Sequence, residues 1–436
     1  MITLVNCVAP HGTLGGLAVP PPGLLSLAAA VREAGIPVCL KDLATGNAMP
    51  SPEEFPCWLG EASPFVGFST MSNMLPYALE AARCLKAASP QTTILFGGCG
   101  TQAAIREILE EFEFVDFAFY GEGEQALPEF LRRHVNSDRW QQVTGLAFRQ
   151  NGRVVVNPPA ARIAPLDALP MPAYDLVNLH DYNPIVSLMT ARGCPFACTY
   201  CESVAFWERR VTSFSVSRMV SEIKHLQATY HVSRFGFADD TFTALRPRAL
   251  QFCRAYQEGS WEFRWGCAAR VDTMDRELMR ELARANCQEI YFGVESGSDR
   301  TLRAVRKGVS QSQISEVVPR AREYFSEVTA SFVWGFPFEE LSDFEETLVL
   351  AAYLRTYGIQ VQLHLWSPMT RSALFDRWSD QLVFDPAVQS DIVPGDLARY
   401  QSLVRSNARI FSPFYHVPHP AFEEKRAMMK AMGFAA

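Results

Sequence analysis

The sequence predicts an α/β protein in two parts. An N-terminal doubly wound parallel sheet is followed by a full or partial (β/α) barrel and a C-terminal helical cap. Three observations carry this reading. Residues 1–140 alternate short apolar runs with segments of helical periodicity. A Pro-rich stretch over 141–184 interrupts the alternation. A second strand and helix alternation begins at Ile185. The expected divisions are 1–140 for the first sheet, 141–184 for an extended linker, 185–375 for the barrel and 376–436 for the cap. A chain of 436 residues has room for them at about 100–200 residues per domain.

In the first part, Ile2–Asn6, Pro37–Leu40, Phe65–Ser69, Thr92–Phe96 and Val115–Tyr120 read as strands. Leu24–Arg32, Tyr77–Ala87, Ala103–Phe112 and Gln125–His134 read as helices between or after them. Such alternation builds a parallel sheet, and ligands then sit outside the strand carboxyl ends. Those ends carry Gly67-Phe-Ser-Thr70, Gly97-Gly-Cys-Gly100 and Gly121-Glu-Gly-Glu124. In the expected linker, Asn151-Gly152 between Leu146–Arg149 and Val154–Val156 is a hairpin signal. Five prolines, from Pro158 to Pro172, come after it.

In the second part, Ile185–Thr190, Arg234–Ala238, Trp265–Ala268, Ile290–Val294 and Ala330–Trp334 read as strands. Ser215–Tyr230 places Met219, Ile223, Leu226 and Tyr230 on one helical face, and Arg276–Ala285 is a further helix. Ile314–Phe325 is periodic in spite of Pro319. A helix over 343–357 is expected to start at a Ser342-x-x-Glu345 capping box and stop at Gly358. Repeated β/α units of this kind close into full or partial barrels.

Composition narrows the function. Apolar residues make up 48% and charged residues 20%, ordinary for a globular chain. A net charge of −7 without a basic arm argues against a nucleic-acid partner. The longest run free of charged residues, Met1–Val31, is broken by Pro10 and Pro20–Pro22, so no membrane span is expected. The N-terminus lacks the charged region of a signal peptide, which leads to a cytoplasmic expectation. Eight of the eleven cysteines are scattered, most of them in apolar runs, and read as small core hydrophobes.

The remaining three, Cys194, Cys198 and Cys201, fall within eight residues after a strand and a glycine. Three thiolates on one loop can hold three corners of a cubane cluster and leave one iron open. Zinc is the rival ion, but it needs a fourth ligand. The next cysteine is Cys253, while His225 and His231 lie on a helix and its exit.

This Cys-x3-Cys-x2-Cys segment, with Tyr200 before the last cysteine, resembles the signature of radical S-adenosylmethionine (SAM) enzymes. Phe237-Ala-Asp-Asp-Thr-Phe242, Ala269-Arg-Val-Asp272, Tyr291-Phe-Gly-Val-Glu-Ser-Gly297 and Phe332-Val-Trp-Gly-Phe-Pro337 extend the resemblance over about 185–370. The resemblance implies a [4Fe-4S] cluster whose open iron chelates SAM. One electron then cleaves a C–S bond, normally giving a 5′-deoxyadenosyl radical, and a flavodoxin- or ferredoxin-type reductant supplies that electron. It places Tyr200 against adenine and Asp239 or Asp240 near the SAM ammonium. It places Arg270 on the carboxylate, Glu295 or Ser296 near the ribose or methionyl group, and Gly335 where backbone approaches adenine.

The N-terminal part is similar to the cobalamin-binding domain that precedes many radical SAM modules. The likeness rests on Pro20–Ala28, Val66–Thr70, Ile94–Gly98, Tyr120–Glu124 and the linker segment Ile163–Asp175. It implies cobalamin contacts at Ser69, Thr70, Gly97, Gly98, Gly121, Glu122 and Gly123. The Asp-x-His-x-x-Gly motif of a lower cobalt ligand is absent. Asn6–Gly12 with His11 comes nearest, and His11 is expected to be a loop residue. The leading expectation is a cobalamin-dependent methyltransferase of the class B type, acting on an unactivated carbon or phosphorus centre of a small molecule or short peptide. One rival is a non-methylating radical SAM enzyme that rearranges its substrate or transfers the 3-amino-3-carboxypropyl group of SAM. The other is a non-catalytic corrinoid or metal carrier. The stretch Arg405–Pro420, with Arg409, Phe411, Phe414, Tyr415, His416 and His419, and Trp366 are candidates to cover the substrate pocket.

Overall fold

A computed structural model describes residues 1–10, 18–46, 48–61, 63–134, 140–259, 261–388 and 397–434. The chain forms two compact units, Met1–Pro184 with Ile392–Phe414, and Ile185–Asp391 with Tyr415–Ala436.

The first unit is built on β1 (Ile2–Cys7), β2 (Val38–Asp42), β3 (Phe65–Thr70), β4 (Thr93–Gly97), β5 (Phe117–Phe119), β6 (Leu146–Gln150) and β7 (Arg153–Val156). They lie in the order β2-β1-β3-β4-β5-β6-β7. β1 to β5 pair in parallel, and β6 and β7 are antiparallel additions to one edge. The order reverses at β1 and β3, where doubly wound sheets leave a crevice at the strand carboxyl ends. β1 is buried along its whole length.

Residues 141–184, expected as an extended linker, differ from that reading. The Asn151-Gly152 hairpin extends the sheet, because Leu146, Ala147 and Phe148 bring an apolar face that pairs with β5. The segment that follows also packs on this unit. Ala173 N donates to Leu25 O, and Leu166 and Tyr174 are buried. Ala103–Phe112, expected as one helix, is two, Cys99–Gln102 and Ile105–Glu111. The first starts early because Gly100 brings its backbone against Met71 and Ser72, where a Cβ would lie 2.5 Å from Met71 C.

The second unit contains β8 (Val186–Leu188), β9 (Ala191–Arg192), β10 (Thr212–Ser213), β11 (Arg234–Phe237), β12 (Arg264–Ala269), β13 (Cys287–Glu295), β14 (Glu327–Trp334) and β15 (Gln360–Leu365). Six of them form one parallel sheet in the order β15-β14-β13-β12-β11-β8. The barrel is therefore partial, with β8 and β15 as edges. Helices Val216–Tyr230, Arg246–Glu258, Arg276–Arg284, Gln311–Ala321 and Leu341–Arg355 alternate with the strands. An aromatic core of Phe237, Phe242, Phe252 and Trp265 underlies β11 and β12, with Phe237 stacked on Trp265 at 4.7 Å. β9 and β10 form a separate antiparallel ribbon.

The helix expected to begin at Ser342 begins two residues earlier. Glu340 is its N-cap, in a capping box with Asp343. Asp343 is also held by Ser298 Oγ at 2.6 Å and by Arg300, and those bonds place it in the first turn. Pro319 is accommodated inside Gln311–Ala321. Residues 376–436 do not form one cap, because Ile392–Phe414 belong to the first unit and the stretches on either side of them to the second. Among the described residues, no helix is long and apolar enough to cross a membrane. Of the eight scattered cysteines, Cys7, Cys253, Cys267 and Cys287 are buried, whereas Cys39 and Cys57 are exposed.

The helix Phe422–Ala431 carries a buried lysine. Lys425 Nζ donates to Glu339 O at 2.9 Å and Oε2 at 2.8 Å, and both side chains are almost wholly buried. Glu339 Oε2 also accepts from Gly335 N at 2.8 Å. Lys425→Met leaves the Glu339 carboxylate buried without its counter-charge and should lower unfolding stability by about 3–5 kcal/mol. Lys425→Met with Glu339→Gln should recover part of that loss. Denaturant unfolding of both variants checks this, and a single variant as stable as the parent would contradict it.

Candidate functional site

The chemistry-bearing residues of the second unit gather at the carboxyl ends of its strands. The loop holding Cys194, Cys198 and Cys201 leaves β9 and returns by way of the helix Ser203–Trp207 to β10. It turns at Gly193, whose φ of +101° and whose distance to Arg210 O, 2.0 Å from a built Cβ, admit no side chain.

Two adjacent carboxylates at the end of β11 fasten this loop. Asp239 accepts from Thr190 N and Ala191 N, both at 2.7 Å, and from Thr190 Oγ1. Arg248 lies behind it at 3.3 Å. Asp240 accepts from Gly193 N at 3.1 Å and Ser203 Oγ at 2.7 Å, so it ties the residue before Cys194 to a residue after Cys201. The middle of the loop is held by Thr199 N on Val305 O and by Leu374 N on Thr199 O. Burial pushes the Cys194 thiol up and the Cys201 thiol to about 11. A cationic partner would therefore be needed to hold these sulfurs as thiolates.

Arg270, at the end of β12, is buried. Nε and Nη2 each donate to Asp272 at 2.9 Å, Nη2 also reaches Lys307 O, and Nη1 lies 3.5 Å from Cys198 Sγ. The guanidinium sits 3.7 Å from the Phe196 ring centroid. Burial opposes its charge, but Asp272 outweighs that and holds the guanidinium above its ordinary value. At the end of β13, Glu295 has a φ of +72° and pairs with Lys307 Nζ at 2.7 Å. Burial, the Glu295 carboxylate and the neighbouring cysteines raise the Tyr200 hydroxyl. Ser296 Oγ lies 3.0 Å from Thr347 Oγ1. Gly335, at the end of β14, has a φ of +79°.

All seven residues expected around SAM thus lie on these strand-end loops, but several are differently engaged. Asp239 is spent on loop backbone, not open to an ammonium group. Arg270 is held by Asp272, Lys307 and Cys198, which leaves little of it for a carboxylate. Glu295 is paired with Lys307. Trp366 is buried with Phe336, Leu374 and Val417, and Tyr200 packs against this cluster. The Arg405–Pro420 stretch is divided. Arg409 pairs with Glu107 in the first unit, whereas His416 bridges to Val383 in the second.

Sequence reasoning missed Lys307, Arg248 and Glu202. Lys307 and Arg248 carry no motif. Glu202 follows Cys201 directly, and its buried Oε1 has no partner. Burial pushes its carboxyl to about 7, against the pull of Arg371.

In the first unit, the strand-end loops come together at β3, β4 and β5. Thr70 Oγ1 lies 3.0 Å from Thr101 Oγ1. Gly98, at φ +89°, packs against Thr70, where a Cβ would meet Thr70 O at 2.7 Å and Ser69 Oγ at 3.2 Å. A Cβ on Gly121 would meet nothing within 4 Å, and one on Gly97 only Phe119 Cβ at 4.0 Å. Glu122 is buried and accepts from Ile163 N at 2.7 Å and Arg162 Nε at 3.3 Å, so it holds backbone. Gly123 packs on Leu27. His11 lies outside the described residues.

Comparison with known proteins bears on both units. Residues 188–351 match the model of the Radical SAM superfamily, and residues 15–131 that of the B12 binding domain. An uncharacterised methyltransferase of Pyrococcus horikoshii is 28% identical over 368 residues, which cover 83% of this chain and 78% of that protein. An anaerobic magnesium-protoporphyrin IX monomethyl ester cyclase of Synechocystis is 27% identical over 346 residues, covering 77% and 68%. The fold is shared with TsrM, a radical SAM methyltransferase from Kitasatospora setae solved with cobalamin and a [4Fe-4S] cluster. The TM-score is 0.78 at 15% identity, covering 99% of this chain and 90% of that one. The chain therefore joins a domain that matches the B12 binding model to one that matches the Radical SAM superfamily model.

Proposed function

We propose that this chain is a cobalamin-dependent radical SAM methyltransferase, in which Cys194, Cys198 and Cys201 ligate the cluster and a small molecule or short peptide receives the methyl group at an unactivated carbon or phosphorus centre. The observation that carries the reading is the three-thiol loop clamped by Asp240 at the carboxyl end of a six-stranded parallel sheet. The donor set fits the cluster. Cys194, Cys198 and Cys201 are free thiols on one short loop. A cubane takes each thiolate on a different iron. The first unit fits cobalamin, because Gly97 and Gly121 put no side chain of their own at the ends of β4 and β5 and a Cβ there would be uncrowded.

When bound, the cluster and SAM supply one-electron C–S cleavage and cobalamin supplies methyl transfer. The chain's own residues hold and enclose. Asp239 and Asp240 fix the cysteine loop, and Gly335 makes a turn at φ +79°, with Leu365 Cδ1 only 2.7 Å from where a Cβ would lie. Phe336, Trp366 and Val417 form a dry wall beside Tyr200, and such walls exclude water from reactive species. A flavodoxin- or ferredoxin-type protein is the electron donor in this reading. The net charge of −7 and the absence of a basic arm support a small substrate over a nucleic acid.

The second reading is non-methylating radical chemistry, which the cyclase relative favours. SAM labelled in its methyl group separates the two. Label appearing in product together with cobalamin dependence supports methyl transfer, and unlabelled product formed without cobalamin rejects it.

Alanine at Cys194, Cys198 or Cys201 should abolish the broad absorption near ~400 nm and all turnover. A variant that kept both would remove the cluster assignment. Gly98→Val places side-chain atoms where a Cβ already lies 2.7 Å from Thr70 O, so it should remove corrinoid absorption and leave the iron content unchanged. Equal loss of iron would show a general folding defect instead.

A further inference from the structure

Arg270 stands at an unexpected place for a residue that would meet a carboxylate of SAM. Of its donors, Nε and Nη2 are occupied by Asp272 and Lys307 O, which leaves Nη1, aimed at Cys198 Sγ from 3.5 Å. The ring of Phe196, within the cysteine loop, lies under the guanidinium at 3.7 Å. The side chain is only 6% exposed, so solvent screens its charge weakly. Arg270 is therefore a cation fixed against a cluster ligand from two sides, by its fork on Asp272 and by stacking on the loop.

We propose that Arg270 is a positioning and tuning residue for the cluster. Through Nη1–H···Sγ it raises the reduction potential of the cluster, and Asp272 limits how far. The inference rests on the cluster reading above. A cluster gains one negative charge on reduction, so a cation donating to a ligand sulfur stabilises the reduced form more than the oxidised one. The electron comes from the external one-electron reductant. No bond forms or breaks at Arg270, and no proton leaves it, since a guanidinium stays charged. Asp272 opposes the cation at close range and also fixes its plane. Together the pair sets how readily a donor of given potential loads the site before SAM is cleaved.

The test uses full-length wild-type protein, Arg270→Lys, Arg270→Gln and Asp272→Asn. Each is reconstituted anaerobically with iron and sulfide, assayed for iron, and titrated with dithionite by electron paramagnetic resonance without SAM or substrate. Arg270→Gln should lower the ratio of reduced to oxidised cluster about tenfold at a fixed ambient potential, equivalent to a midpoint fall of about 59 mV for one electron. Arg270→Lys keeps the charge and loses the fork, so its shift should be smaller and of the same sign. Asp272→Asn should move the midpoint upward. SAM affinity of the oxidised proteins, read by equilibrium dialysis, should change little in Arg270→Lys. Unchanged midpoints at equal iron content overturn the proposal, as does a large loss of SAM affinity with no shift in potential. Failure of both Arg270 variants to hold iron assigns the residue to loop folding alone and also overturns it. Wild-type protein that takes up no iron fails earlier, at the cluster reading itself.

Discussion

The cysteine loop rests on two consecutive carboxylates. β11 pairs with β8 so that Phe237 lies level with Leu188, and two residues further along are Asp239 and Thr190. Beyond the last strand pair, the backbone N–H groups of Thr190 and Ala191 have no ladder partner, and buried N–H groups must find one. Asp239 supplies it. Side chains alternate along an extended chain, so Asp240 points elsewhere and reaches Gly193 N and Ser203 Oγ. Hydrogen bonds to a charged acceptor contribute about 1.5–3 kcal/mol each. Two residues thus define where the loop starts and where it closes, and the three thiols inherit their places from that.

A second layer of charge joins this loop to the next strands. Arg270 and Lys307 are the cations, and Asp272 and Glu295 the anions. Tyr200 and Cys198 are the loop groups that they touch. Arg270, Glu295 and Lys307 are buried while Asp272 is more exposed, and buried charges are tolerable only when paired, so removing one leaves its partner unpaired. Glu295 reaches Lys307 because β13 slips register against β14 between Gly293 and Glu295. Such a bulge re-aims a side chain, and here it comes with a left-handed backbone at a residue that is not glycine. Strain of that kind persists only where surrounding bonds hold it, and the Lys307 pair is such a bond.

The parts of the site legible in the sequence were those with local signals. Spacing singled out the cysteines, and the resemblance to radical SAM segments at strand ends brought out Tyr200, Asp239, Asp240, Arg270, Glu295, Ser296 and Gly335. What the side chains do there was not legible. A carboxylate two residues past a strand looks the same whether it faces a ligand or a neighbouring N–H, and β-sheet register decides between the two. Lys307 and Arg248 could not be found at all, because Lys307 acts on Glu295, 12 residues away, and Arg248 donates to Thr190 Oγ1, 58 residues away, partners named only by folding. Fold class was readable from alternation. The hairpin over Leu146–Val156 was also visible, but not its attachment to β5, since an edge strand declares its pattern and not its neighbour.

The glycines of the first unit need the same care. Gly98 and Gly100 are required because protein backbone lies against them, at 2.7 Å and 2.5 Å from a built Cβ. Their demand is met by Thr70, Met71 and Ser72, so they shape the rim and say nothing about what it holds. Gly97 and Gly121 differ. A Cβ on Gly121 would find open space, and one on Gly97 only the far contact with Phe119, so intramolecular packing does not account for a glycine at Gly97. Gly121 has a positive φ to explain it, but the φ of Gly97 lies outside that region. An uncrowded glycine of ordinary φ at the carboxyl end of β4, one strand away from the reversal at β1 and β3, is open to a ligand's backbone approach. Among the described glycines of this rim, Gly97 is the one whose place the protein's own packing leaves unexplained, and the proposed cobalamin reading would account for it.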